Sequence, residues 1–274
     1  MLVTKYSGEI VPFEEGKLHD SLKNTGAKEH EIQIVLKRVK EDMVDKKSTA
    51  NIYNEAFRLL KQLSKASAAR FNLKRSILDL GPSGFPFEKF IGELFKHNGY
   101  SVQNNQILKG KCVKHEVDVI AMKSKKAYFI ECKFHNRQGV KSDVKIAMYF
   151  KARTDDIRKG SQHLENVKGR EIKGCLVTNT RFSEDAIRYA KCEGIRLISW
   201  NYPQHGSLKD LIELSGLYPL TCLTALKKNE KIRILDQGVV LAMDIFKTPS
   251  LLEPLNISNY RRKNILNEIR ILCS

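Results

Sequence analysis

Residues 116–134 read EVDVIAMKSKKAYFIECKF. Two apolar, β-prone runs flank the polar turn Lys123-Ser124-Lys125-Lys126, the pattern of a hairpin. Side chains two apart in a strand share a face. Glu131 and Lys133 therefore point one way, while Ile130, Cys132 and Phe134 point inward on the other. Asp118 lies between Val117 and Val119 and faces opposite to both. Adjacent strands lie about 5 Å apart, so the hairpin can bring Asp118 beside Glu131. Two carboxylates so close repel unless a cation stands between them, and hard oxygen ligands suit Mg2+ or Mn2+. Such a cation polarises a phosphoryl oxygen and lowers the pKa of water. Lys133 is placed to orient or deprotonate that water. The plain alternative is an exposed strand-face pair of Glu131 with Lys133. The apolar run Tyr128-Phe129-Ile130 argues against it, because it makes the strand a buried one.

Working outward, a helix is expected over 87–98, stopped by Gly99, with a short strand at 100–102. A long polar helix follows over 141–165, then a strand at 174–178, a helix at 183–193 and a strand at 195–200. That order describes an α/β (α+β) domain, a mixed sheet with helices on its faces. Gly81-Pro82-Ser83-Gly84 marks a break before it. The expected domains are 1–82, 83–205 and a small helical segment over 206–274.

Asp118 followed by Glu131-Cys132-Lys133 resembles the D…(D/E)xK signature of PD-(D/E)xK, restriction-endonuclease-like nucleases, in particular their Mrr-like branch. That branch places a glutamate in its first helix, in a Phe-Glu pair ahead of a Gly-aromatic turn. The matching text is GFPFEKFIGELFKHNGY, residues 84–100, which nominates Glu88. Helical geometry agrees, since Glu88 lies three and seven residues before Ile91 and Phe95, at the edge of the apolar stripe, whereas Glu93 faces away. GCLVTNTRFSEDAIRYAKCEGIRLISW, residues 174–200, is similar to the strand–helix–strand that closes this fold. The resemblance covers about residues 84–201. It implies Glu88, Asp118, Glu131 and Lys133 as the catalytic set, with the three carboxylates as metal ligands.

VTKYSGEIVPFEEGKLHDSLKNTGA, residues 3–27, is similar to the start of an ATP-cone, a nucleotide-sensing module built as a β-hairpin and a helical bundle. Val3, Lys5, Gly8, Phe13, Lys17 and Leu18 carry the match, with Ser48-Thr49-Ala50-Asn51-Ile52 and ARFNLKRSI (69–77) further on. The resemblance implies ATP or dATP as a regulatory ligand, held by Val3, Lys5, Lys17, Leu18 and Thr49. Two lysines offer ammonium groups to a polyphosphate, and Thr49 is expected to cap a helix whose free amides face an anion. No Walker loop is present, so binding without hydrolysis is expected. Tyr6 departs from the family, which usually has arginine there, and this bears on affinity and nucleotide identity.

The net charge is +17, and residues 83–205 carry +10 of it. A positive field of that size favours polyanions, although a basic surface also serves solubility. Lys141, Lys145, Arg153 and Arg158 on the long helix are candidates to track a DNA backbone or to form a solvated face, with Lys145 and Tyr149 on one side of it. His115 and His135 read as surface histidines. Residues 218–274, with Arg261, Arg262 and Lys263 clustered, suggest a helix-hairpin-helix-like unit or a plain helical cap. Six cysteines without a Cys-x-x-Cys pair argue against a zinc ribbon and read as small hydrophobes. With no apolar run of about 20 residues and no secretion signal, the chain is expected in the cytoplasm, away from membranes. The expected function is a Mg2+-dependent double-stranded DNA endonuclease in restriction or defence, responsive to ATP or dATP, with homo-oligomerisation left open. The alternatives are a non-catalytic nucleotide-responsive DNA-binding regulator and a structure-specific repair or junction nuclease.

Overall fold

The computed structural model describes residues 1–5, 7–160 and 167–274. They form two compact units, one of residues 1–76 with 218–274 and one of residues 77–217. The first opens on the antiparallel strands β1 (Leu2–Thr4) and β2 (Ile10–Pro12), turned through Gly8 at a φ of +84°, which glycine adopts at no steric cost. Helices α1 (Glu15–Lys23) and α2 (Glu29–Glu41) follow. Strand β3 (Lys47–Ser48) then pairs in parallel with β1, too short to be announced by sequence. Next come α3 (Thr49–Leu63), α4 (Lys65–Phe71) and α5 (Leu73–Leu78). Leu18 and Leu22, Ile32, Val35, Leu36 and Val39, and Ile52, Ala56 and Leu60 recur at helical spacing and close one core with Val3 and Phe71. Ser48 is the cap of α3, its Oγ accepting from the Asn51 amide at 3.1 Å; Thr49 is the first helical residue. Two short helices rather than one follow α3, because Ser64 leaves helical geometry to cap α4 and the chain breaks again at Asn72. Tyr6, the departure from the ATP-cone pattern, lies outside the described residues.

The second unit runs α6 (Phe85–His97), β4 (Ser101–Lys109), β5 (Lys114–Lys123), β6 (Lys126–Lys133), β7 (Lys141–Ser142), α7 (Val144–Gly160), β8 (Glu171–Thr178), β9 (Arg181–Phe182), α8 (Glu184–Cys192), β10 (Arg196–Ile198) and α9 (Leu208–Ser215). Its main sheet has the order β10-β8-β6-β5-β4, antiparallel between β4, β5 and β6 and parallel from β6 outward. The expected hairpin is β5–β6, joined through Ser124 at a φ of +53°. Phe87, Phe90, Phe129, Ile91 and Ile120 are among the fully buried side chains. Strand β4 is longer than the expected 100–102, because its run Gln103 to Gln106 lacks the apolar alternation that marks a strand. The long helix starts at Val144; its expected end at 161–165 lies outside the described residues.

The remaining chain supplies α10 (Lys228–Leu235), α11 (Ala242–Lys247) and α12 (Asn259–Leu272). The expected separate segment over 206–274 does not hold. Residues 206–217 belong with the sheet, where Leu208 and Ile212 of α9 are buried and α9 touches α6. Residues 218–274 complete the first unit: α12 packs on α4, and Arg70 Nη2 donates to the last carbonyls of α12, Ile271 at 3.0 Å and Leu272 at 3.1 Å. Thr221 Oγ1 donates to the Ser76 carbonyl at 2.7 Å and Lys61 Nζ to the Thr224 carbonyl at 2.9 Å. The expected basic cluster is partly drawn inward. Arg261 makes a two-pronged pair with Glu230 at 2.8 and 2.9 Å, and Arg262 donates to the Pro249 carbonyl. Cys132, Cys175 and Cys222 are buried as expected, but Cys112 and Cys192 are exposed. No helix of the described residues is long and apolar enough to cross a membrane.

Helix α7 is held to the sheet by a second cluster. Asp156 accepts from the Cys112 amide at 2.9 Å, the Val113 amide at 3.3 Å and His115 Nε2 at 2.8 Å. The His115 bond first, and these amides with it, pull the Asp156 carboxyl well below the usual range. His115 is thus a partly buried structural partner, 11% exposed. The close fit depends on Gly160, where an added Cβ would stand 2.5 Å from Gly110 C and 2.8 Å from the Lys109 carbonyl oxygen. Backbone cannot move aside as a side-chain tip can. Gly160→Ala should cost about 1–3 kcal/mol, read as a lower urea midpoint with an unchanged m-value.

Candidate active site

Strands β5 and β6 pair from Lys123↔Lys126 down to Val119↔Ile130 and then part. Beyond that point β5 keeps only β4, and Glu131 to Lys133 of β6 keep only β8. The fork opens at Asp118 and Glu131, where the Asp118 carboxylate takes the Cys132 amide at 2.7 Å. On the other side the β4–β5 register runs from Asn104↔Val119 to Gln106↔Val117, so Asn105 stands opposite Asp118. Asn105 has a φ of +51°, a conformation asparagine tolerates better than most residues. Its Nδ2 donates to Glu88 Oε2 at 3.1 Å, tying α6 to the fork. Helix α6 approaches β4 through Gly92, where a Cβ would meet Asn104 Oδ1 at 2.7 Å.

The Asp118 charge acts on both glutamates. Burial first, and then the Asp118 charge, push Glu131 up to about 7, against the pull of Arg153 and Lys133. Burial first and then Asp118 raise Glu88, which the Asn105 bond opposes. Asp118 is also raised, by burial and by Glu116, with the Cys132 amide, Arg153 and Lys133 acting the other way. They do not close into a ready three-carboxylate cage. Among the described residues no three His, Cys, Asp or Glu side chains stand close enough to hold a metal ion. Each is drawn to its own partner: Glu88 to Asn105, Asp118 to the Cys132 amide, Glu131 to Arg153. Among the described residues the second oxygen of each accepts no hydrogen bond. Lys133 is exposed at the end of β6.

Three participants escape the sequence reading. Arg153, a candidate above either to track DNA or to lie on a solvated face, is 14% exposed; its Nη1 sits 2.7 Å from Glu131 Oε2 and its Nη2 donates to the Glu116 carbonyl, while the guanidinium lies 5.6 Å from the Tyr149 ring centre. Glu116 adds a fourth, exposed carboxylate two residues before Asp118. Asn105 positions Glu88. Period-two facing flags Glu116 with Asp118, but nothing in the sequence pairs a helix arginine with a strand glutamate. Arg158 is taken by Asp155 at 3.0 Å. His135 bonds through Nε2 to Ser142 Oγ at 3.0 Å, and burial with the nearby Lys133 lowers its pKa. Glu93 points away from the fork and pairs with Lys96 at 3.9 Å.

The nucleotide candidates are spread over the first unit. Val3 and Leu18 are buried in its core. Lys5 pairs with Glu9 at 3.0 Å and Lys17 with Glu14 at 2.6 Å, both pairs exposed, and Thr49 opens α3.

Residues 81–201 match the restriction endonuclease family of the Mrr catalytic type, and residues 218–273 match the AF1548-like C-terminal family. No family model matches the N-terminal region. An uncharacterized protein of Archaeoglobus fulgidus is 33% identical over 181 residues, which span 66% of this chain and 98% of that protein. The chain belongs to the AF1548-like family. A solved relative, described as the protein of unknown function AF1548, is 31% identical with a TM-score of 0.56, over 70% of this chain and 98% of that one. The middle unit of this AF1548-like protein is thus a restriction-endonuclease-like domain, and the fork lies inside it.

An acid whose folded-state pKa stands above its unfolded value binds its proton more tightly when native. Glu131 therefore takes stability from the protein as pH rises from about 4.5, its ordinary value, to about 7. The Tm of Glu131→Gln minus that of wild type should grow between pH 5 and pH 8 in EDTA, up to the equivalent of about 3 kcal/mol. Parallel melting-temperature profiles would show that Glu131 titrates normally.

Proposed function

We propose that this AF1548-like chain is a divalent-metal-dependent DNA endonuclease of the restriction type, whose first unit binds ATP or dATP. The gathering of Glu88, Asp118 and Glu131 at the β5–β6 fork, with the Asp118 charge raising the pKa of both glutamates, carries the reading. Partly buried carboxylates beside the Asp118 charge favour a cation, and among the described residues each keeps one oxygen without a hydrogen bond. Mg2+ retains several waters and needs only one or two protein carboxylates, so Asp118 and Glu131 would hold it, with the Glu88 carboxylate close by at the fork. Bound there, the ion would supply Lewis-acid stabilisation and a more acidic water. Lys133 places a positive charge on the face of Glu131, where phosphoryl charge develops. Asn105 holds Glu88, and Arg153 holds Glu131.

Plasmid cleavage in Mg2+ and in EDTA tests this. Wild type should nick DNA only with metal, and Asp118→Ala and Lys133→Ala should each lose about 100-fold or more. Equal activity in both variants would defeat the hydrolase. The Arg153–Glu131 pair favours a second reading, a DNA-binding regulator that does not cut, because it already neutralises one ligand. Tight DNA binding without metal-dependent nicking would select it.

The nucleotide proposal rests on the hairpin-plus-helices layout with Lys5 and Lys17 outside the core. Exposed ion pairs such as Lys5–Glu9 contribute little, so these lysines can exchange a carboxylate for phosphate. Calorimetry on the full chain should register ATP or dATP binding that Lys5→Ala weakens about tenfold. No heat with either nucleotide would leave the first unit as a structural adaptor.

A further inference from the structure

The basic residues on α7 and at its N-terminal end include a paired set and an unpaired one, with exposed Lys159 apart at the far end of the helix. Lys151 pairs with Asp155 at 2.6 Å and Glu193 at 3.0 Å, Arg158 with Asp155, and Arg153 with Glu131. Arg137, Lys141, Lys145 and Arg181 are exposed, and among the described residues none has a carboxylate within ion-pair distance. Of the nearby acids, Asp143 Oδ1 accepts from the Ile146 amide at 3.3 Å and Asp185 pairs with Arg188, while Glu184 is exposed and, among the described residues, forms no ion pair with this set.

The fold fixes where this second set stands. Lys133, the last residue of β6, is in register with Thr178, the last residue of β8. Three residues further on, Arg181 is in register with Lys141 across the β7–β9 pair. The intervening loop, with Arg137 in it, is closed at its base. The His135 amide donates to Asn179 Oδ1 at 2.9 Å, and Asn179 Nδ2 donates back to the His135 carbonyl at 2.7 Å. His135 also meets buried Ser142, whose carbonyl takes the Ser183 amide at 2.9 Å. A loop tied this firmly presents its cations at set positions just past Lys133. Burial keeps His135, inside the tie, inclined to neutrality.

We infer that Arg137, Lys141 and Arg181 form a rim that grips the sugar–phosphate backbone of duplex DNA flanking the bond presented to the fork. The inference rests on the reading of the fork as a site acting on DNA. Cations lacking carboxylate partners suit phosphates, since binding releases the counterions condensed on the nucleic acid. The rim positions the strand and reads no sequence.

The test is binding of a fluorescent DNA duplex of about 25 base pairs by anisotropy, in EDTA, from 50 to 200 mM KCl. Lys141→Gln/Arg181→Gln should weaken binding at least tenfold and lower the salt slope by about 1.8, two phosphates at about 0.9 each. The matched control, Lys125→Gln/Lys126→Gln, removes two exposed charges from the turn at the other end of β6, about 23 Å along the strand, and should leave the slope in place. In cleavage with Mg2+, the rim variant should raise the DNA concentration for half-maximal rate and keep the maximal rate. Equal slope changes in rim variant and control, or no change in either, overturn the rim. The outcome separates from that of the hydrolase: absent cleavage with an altered slope keeps the rim and removes the nuclease, whereas Asp118-dependent cleavage with an unaltered slope does the reverse. The replaced side chains are exposed, and unchanged melting temperatures will confirm folding.

Discussion

Val119↔Ile130 is the last rung at which β5 and β6 hold each other, and the chemistry of the second unit depends on their parting there. A continuous ladder would leave Asp118 and Glu131 as cross-strand neighbours on a solid sheet, with the Cys132 amide facing backbone. Because the strands part, that amide turns to the Asp118 carboxylate and a fork opens between two strands that remain anchored on their outer sides. Such a fork exposes backbone polar groups and gathers like charges, both unfavourable. It persists because the rest of the unit over-determines it. Val119, Ile120 and Ala121 on one arm and Phe129 and Ile130 on the other are wholly buried directly above it.

Helix α7 completes this balance from outside the sheet. Arg153 reaches both arms, donating to the Glu131 side chain of β6 and to the Glu116 carbonyl of β5. One guanidinium thereby offsets a carboxylate and satisfies a carbonyl left over where pairing stops. One turn on, Asp156 collects the loop between β4 and β5. The helix is therefore less a DNA-facing surface than a clamp on the split sheet, and among the described residues its exposed cations without an ion pair stand at its two ends, Lys145 at one and Lys159 at the other.

The sequence carried the hairpin, the facing of Glu131 and Lys133 and the order of elements, because these follow from local periodicity. Period two was legible where apolar residues alternate, as in 116–134, and illegible over Gln103 to Gln106, where polar side chains obey a functional demand. Asn105 and Arg153 were missed for a common reason: their roles depend on partners 17 and 22 residues away and on backbone geometry, φ of +51° at Asn105, which side-chain type does not encode. The discontinuous first unit was missed similarly. The Gly81-Pro82 break is a local signal, whereas the docking of α12 on α4 through Arg70 joins residues 201 and 202 apart. The fate of Arg261, bound to Glu230, follows from the same long-range closure.

Opposite charges meet at the fork, and this has a consequence for how ligands enter. The surrounding segment is strongly positive while the fork itself collects Glu88, Glu116, Asp118 and Glu131. A phosphate drawn in by the proposed basic rim would meet carboxylates that repel it, and a cation between them would turn both repulsions into attractions. With Glu131 half-protonated near neutral pH in the absence of such an ion, a proton and a divalent cation compete for the same carboxylate. Under the proposed function, nucleic acid and cation would each raise the affinity of the other, and linkage makes the two factors equal because both are bound at once. Arg153, tied to Glu131 by a single prong, is the protein's own counter-charge at that carboxylate.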